Sequence, residues 1–130
     1  MSFFDKMFGN NDSKVTSSSS VMWNELTELQ QLESIDKESF SVPVLLFKHS
    51  TRCSISRMAL KSFEREYTIE NGKLKPYFLD LIRYREVSNE IASRYGVTHQ
   101  SPQVIVVKDG KAIYNASHSD IDAARVKKQL

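Results

Sequence analysis

The chain has 130 residues, a formal net charge of +2, 26% charged residues and a single cysteine. A domain of that length can bury a core without disulfides or a structural metal, and one thiol excludes both an internal disulfide and a zinc site built from the chain's own thiolates. The near-balanced charge argues against the basic field of a nucleic-acid binder, and no apolar run approaches the roughly 18 residues of a membrane span.

The opening MSFFDKMFG contains Asp5 and too short an apolar block for a signal peptide, so a cytoplasmic location is expected. Phe3, Phe4, Met7 and Phe8 could line one face of a single turn, touching a membrane or a partner. Fraying or weak docking is favoured, because short isolated helices are marginal in water. Residues 9–20, GNNDSKVTSSSS, lack periodic apolar positions and read as a flexible linker. The folded domain is therefore expected over residues 21–130, behind an arm of residues 1–20.

Met22, Leu26, Leu29 and Leu32 recur at helical spacing beside Trp23 and predict a first helix over residues 22–32. SVPVLLFKH, residues 41–49, opens on a proline and continues as an apolar run, as a strand buried on both faces does. Cys53 follows. Beyond it Ile55, Ala59, Phe63 and Tyr67 fall three or four apart, flanked by Met58 and Leu60, which predicts an amphipathic helix over residues 54–67. KPYFLDLIRY, residues 75–84, predicts a second strand, and residues 86–95 a helix closed by Gly96. Residues 103–116 are two strand-like runs joined by Asp109 and Gly110, a strong hairpin signal. A last helix is expected over residues 120–129, capped by Ser117 or Ser119, with Ile121, Ala124 and Val126 facing inward. Its basic end, Arg125, Lys127 and Lys128, reads as a complement to the helix dipole rather than a phosphate contact.

A lone cysteine is most often a small buried hydrophobe. Here Thr51, Arg52, Ser54 and Ser56 surround it with polar groups and a cation, and it sits where a strand turns into a helix. The thiolate is the reactive form of such a residue, and both helix N-terminal amides and a nearby cation favour it. Arg52 is either that cation or a solvated surface residue, and Lys48 and His49 lie at longer range. Ser56, three residues on, shares the helix face of Cys53. Its hydroxyl either donates to the thiolate or satisfies first-turn amides. No metal ligands are assigned, and no dinucleotide fingerprint or P-loop is present.

The order βαβ then ββα resembles a thioredoxin-like α/β fold, a central mixed sheet of about four strands flanked by helices. FKHSTRCSIS places Cys53 where that superfamily carries its CxxC or CxxS motif, and RYGVTHQSPQVIVVKDGK is similar to the segment in which Gly96 and Val97 lead to a cis proline, here Pro102. Within the superfamily, the chain from Met22 onward is most similar to the YtxJ-like bacillithiol-system proteins, the monothiol bacilliredoxins. Their motif has a proline directly after the cysteine, where this chain has Ser54, while Ile55 and Ser56 fit. The resemblance implies a monothiol exchange at Cys53, tuned by Thr51, Arg52 and Ser56, that removes bacillithiol from protein mixed disulfides. It implies no tightly bound cofactor, with bacillithiol as co-substrate. It also implies a substrate site at which Ser101, ahead of the cis Pro102, presents its backbone to the disulfide, while His118 and Ser119 meet the charged end of the thiol. Capping is the plainer role for Ser119 and Asp120. The expected partners are bacillithiolated proteins and a low-molecular-weight thiol, with the chain a monomer. Two other classes stay open: an adaptor or holdase of the same fold, and an iron–sulfur carrier with Cys53 of two chains as ligands. The glycine that such carriers hold beside the cysteine is absent.

Overall fold

In a computed structural model the described residues are 21–130, so the expectations for residues 1–20, the Phe3, Phe4, Met7 and Phe8 face included, lie outside them. The elements in chain order are β1 (Asn24–Glu25), α1 (Gln30–Glu38), β2 (Val44–His49), α2 (Ser54–Glu66), β3 (Lys75–Asp80), α3 (Arg85–Tyr95), β4 (Gln103–Lys108), β5 (Lys111–Ser117) and α4 (Ala123–Lys127), with a 3₁₀ turn at His118–Asp120 before the last. The five strands form one sheet in the order β1-β3-β2-β4-β5. β1 and β2 run parallel to β3, β4 runs antiparallel to β2, and β5 antiparallel to β4.

Two apolar clusters cover the two faces of the sheet. Val44 and Leu46 of β2 pack with Leu32 and Ile35 of α1 and Val87 and Ile91 of α3. Leu45 and Phe47 of β2 pack with Phe63 of α2, with Tyr67 just past its end, and with Ala123 and Val126 of α4. All six residues of β2 are buried, as the unbroken apolar run predicts. Among the described residues no helix is long and apolar enough to cross a membrane.

The first expected helix is replaced by β1 and a later helix. Met22 and Leu29 are 71% and 43% exposed, and only Leu26 and Leu32 of the stripe are buried. Residues 24 and 25 instead pair with Tyr77 and Phe78 on the open edge of β3, extended by Leu26 N–H donating to Phe78 O at 2.9 Å. Trp23 anchors this path. Its ring lies 5.7 Å from Phe47, 6.1 Å from Phe63 and 5.8 Å from Phe78, and its Nε1 donates to Glu64 Oε2 at 2.7 Å. Gln31 Oε1 then accepts from the amides of Thr27 and Glu28, closing the turn into α1. Tertiary pairing overrides helical spacing here, and it adds a fifth strand to the expected four.

Two boundaries and one buried face also move. β3 stops at Asp80, four residues short of the expected end, because Asp80 Oδ1 accepts from the amide of Ile82 at 3.2 Å and turns the chain. The buried line of α2 runs through Ser56, Phe63 and Tyr67, with Leu60 half-buried, while Ile55 and Met58 face outward. The last helix begins at Ala123 and is capped by Asp122, whose Oδ1 accepts from Ala124 N–H at 2.7 Å, so neither Ser117 nor Ser119 caps it. It buries Ala123 and Val126 rather than Ala124.

Gly96 closes α3 at φ +64°, and a Cβ built there would meet no atom within 4 Å. The cost of Gly96→Ala is then purely conformational, and urea unfolding should show a loss of about 1 kcal/mol. Gly96→Asn should lose less, since asparagine enters the left-handed region more readily. Equal stability of wild type and Gly96→Ala would refute this account of the cap.

Candidate active site

β2 is covered on both faces, so the chain can place a reactive group only beyond its end. That end is Lys48 and His49, after which residues 50–53 turn into α2. Cys53 is the N-cap residue of α2, extended at φ −108° and ψ 122°, half-buried, and it makes no side-chain capping hydrogen bond. Its carbonyl accepts from Arg57 N–H at 3.1 Å and its own N–H donates to Ser50 O at 3.2 Å. The sulfur therefore stands at the positive end of a helix whose first-turn amides its own side chain leaves uncapped.

Ser56 ties the helix to the strand. Its Oγ accepts from Ser50 N–H at 3.0 Å and shares a hydrogen bond with His49 Nδ1 at 2.8 Å. The hydroxyl thus satisfies a loop amide and a buried ring, and its hydrogen bonds run to these groups rather than to the Cys53 sulfur. This explains why a serine occupies a fully buried helix position. His49 is itself buried and its ring lies 5.3 Å from Phe78. Burial pulls the pKa of His49 below its ordinary value, with Asp80 opposing, Arg57 adding to the effect and Glu64 opposing. It is a neutral structural ring at pH 7.

Thr51 and Arg52 are exposed beside Cys53. The Thr51 carbonyl accepts from Arg57 Nη1 at 3.1 Å, so Arg57, which the sequence did not single out, braces the turn. Its signal was spacing alone, one helical turn past Cys53.

The antiparallel register pairs Lys48 with Gln103, which brings the end of β2, and the turn that carries Cys53, to the same sheet edge as the start of β4. The Ser101–Pro102 peptide bond at that start is cis. Pro102 O accepts from His118 N–H at 3.1 Å, which binds the expected substrate residues Pro102 and His118 to each other, with His118 held at φ +55°. His118 and Ser119 are exposed. His118 stands between two depressions. One is a polar cleft of about 560 Å³ that also meets Thr98, Gln100 and Gln103. The other is an apolar groove of about 280 Å³ formed with Ile55, Met58, Ala59 and Ile121. Lys48 projects from the opposite face of β2 to His49, toward α3 and His99. His99 carried no signal in the sequence, because its neighbour in space is 51 residues away.

Comparison with known proteins bears on the fold and the family. The sequence profile of a family described as monothiol bacilliredoxin BrxC matches residues 24–126. Among solved structures, an oxidoreductase candidate with a thioredoxin fold is 28% identical over 80% of this chain and 89% of its own, with a TM-score of 0.68. The thioredoxins of Malassezia sympodialis and Trypanosoma brucei brucei superpose with TM-scores of 0.65 and 0.66. They are 15% and 14% identical over 88% of this chain and 92% and 94% of their own, and so speak for the fold alone. The architecture is the thioredoxin fold that the order of elements implied, with the short β1 as an added edge.

The Ser56 bracket has two measurable consequences. Ser56→Ala leaves Ser50 N–H and His49 Nδ1 without their shared partner, and urea unfolding should show a loss of about 1–3 kcal/mol. An unchanged midpoint would remove the bracket from the account. The second concerns pH. Because the folded state lowers the pKa of His49 from 6.5, the unfolded chain binds the extra proton just below that pH. The stability from neutral His49 is therefore complete above 6.5 and lost as pH falls through the lower, folded value. Unfolding followed by Trp23 fluorescence at pH 7.5 and 5.5 should show a smaller pH dependence in His49→Gln than in wild type; equal dependence would contradict this assignment.

Proposed function

The chain belongs to the monothiol bacilliredoxin family and has a thiol-redox role, and on that premise we propose that it removes bacillithiol from protein mixed disulfides through Cys53 alone. The observation that carries this reading is the placement of the only cysteine of the 130 residues at the N-cap of α2, on the sheet edge shared with the cis Ser101–Pro102 bond.

The Cys53 thiolate attacks the bacillithiol sulfur of the mixed disulfide. The target's S–S bond breaks, the target sulfur leaves as a thiolate and takes a proton from water, and bacillithiol stays bonded to Cys53. With Ser56 where dithiol relatives hold a resolving cysteine, no second thiol of this chain can release the adduct. A thiolate from solution must attack it, restoring Cys53 and leaving a low-molecular-weight disulfide. No net oxidant or reductant enters beyond that thiol.

The positive end of α2 favours negative charge on the attacking sulfur, and Arg52, next to Cys53 in the chain, is the cation this reading assigns to it. The Ser101 backbone, ahead of the cis Pro102, is the edge against which an extended disulfide substrate lies, while His118 borders both depressions and Ser119 the apolar groove. The partners are then bacillithiolated proteins and a free thiol, met by a monomer in a reducing cytoplasm, where thiols persist.

Intact-protein mass spectrometry tests this directly. Reduced protein is mixed with a bacillithiolated substrate, beside a glutathionylated control and the Cys53→Ser variant. The substrate should lose its adduct while the wild type gains one bacillithiol, and the variant should do neither. Equal transfer from both substrates would overturn the choice of thiol, and an unmodified Cys53 in every mixture would turn the reading to a non-catalytic adaptor.

A further inference from the structure

Lys48, next to last in β2, projects onto the face covered by α1 and α3 and is 0% exposed. A lysine is almost never fully buried unless its charge has acceptors. Its Nζ donates to Ser88 O of α3 at 3.2 Å and lies 3.2 Å from Nδ1 of His99. Ser88 Oγ is 3.4 Å from the same Nδ1. Gln103, the register partner of Lys48 in β4, is 1% exposed and donates through Nε2 to Thr98 O at 3.0 Å. Its Oε1 has no hydrogen-bond partner among the described residues. Two buried side chains from adjacent strands thus grip the loop at residues 98 and 99, directly before the Ser101–Pro102 bond. Methionine would fill the volume of Lys48 without burying a charge, so packing alone does not account for a lysine there.

We propose that Lys48 is a positioning residue that holds the His99 ring, and through it the backbone of residues 98–101, where that backbone meets the disulfide substrate. The inference rests on the reading of Cys53 as the exchanging thiol.

The grip has a defined protonation state. Burial lowers the pKa of Lys48 to about 8, so at pH 7 it is mainly an ammonium and can donate only to an unprotonated Nδ1. The groups facing His99 are Lys48 from β2, Arg85 and Ser88 from α3, and none of these is a carboxylate. Burial first, then Lys48 and Arg85, hold the pKa of His99 below its ordinary value. Acidification past that value sets an imidazolium against an ammonium, breaks the contact and frees the loop.

The test compares two reactions of Cys53 in the full chain. Alkylation by iodoacetamide needs no backbone partner, whereas exchange with a peptide carrying bacillithiol in mixed disulfide does. Their ratio cancels the thiolate fraction. For Lys48→Met the ratio of exchange to alkylation should fall about tenfold at pH 7, the effect of one charge-assisted contact. In wild type the ratio should fall as the pH drops below 6.5 and through the lowered pKa of His99. In His99→Asn, whose Oδ1 replaces Nδ1 as an acceptor that cannot be protonated, the ratio should stay near the wild-type value at pH 7 and lose that fall. A ratio that is the same in all three proteins across this range overturns the role of Lys48 while leaving the function of Cys53 intact. A wild type that is alkylated but never exchanges defeats the functional reading itself, and this inference with it.

Discussion

β2 has helices against both of its faces, and this constraint governs the rest of the molecule. Side chains alternate along a strand, so every residue of β2 must find cover on one side or the other. Val44, Leu45, Leu46 and Phe47 do so with apolar neighbours. At the end of the run the same rule applies to two polar residues, and each is buried with a polar partner instead. His49 meets Ser56 under the first turn of α2, and Lys48 meets Ser88 and His99 beside α3. The strand thereby carries different chemistry to the two sides of one sheet edge.

On the α2 side, burying His49 requires a hydroxyl where an amphipathic helix would place an apolar residue. Ser56 meets that demand and at the same time orders the turn before Cys53 through the amide of Ser50. The outward rotation of Ile55 and Met58 follows from this, because a helix that buries positions 56 and 63 and half-buries 60 cannot also bury 55 and 58. Those two side chains line the apolar groove that reaches His118. The internal need of one histidine thus shapes the surface beyond the Cys53 turn.

On the other side, the antiparallel pairing of β2 with β4 sets Cys53 and the cis proline at a common end of the sheet, although they are 49 positions apart in the chain. The loop before Pro102 is held from within by Lys48 and Gln103, and the His118 amide holds the proline carbonyl from the other strand. These contacts give a short irregular segment a fixed place without regular structure of its own. The thiol and the backbone at the cis proline are therefore both positioned by one pair of strands.

Local features determined much of this. The apolar run of residues 44–47, the Asp109-Gly110 turn, the Gly96 stop and the polar turn around Cys53 each act over a few neighbouring residues, and so could be read from the order of amino acids. From them came the thioredoxin-like fold and the thiol at a helix start. Contacts across the sheet were decided elsewhere. The spacing of Met22, Leu26, Leu29 and Leu32 favours a helix, but the open edge of β3 and the aromatic seat of Trp23 draw residues 24 and 25 into a strand. The partners of Lys48, His49 and Ser56 lie 6 to 51 residues away. Periodicity records which face a residue takes within its own element, and only the packing of elements against one another decides what that face will meet.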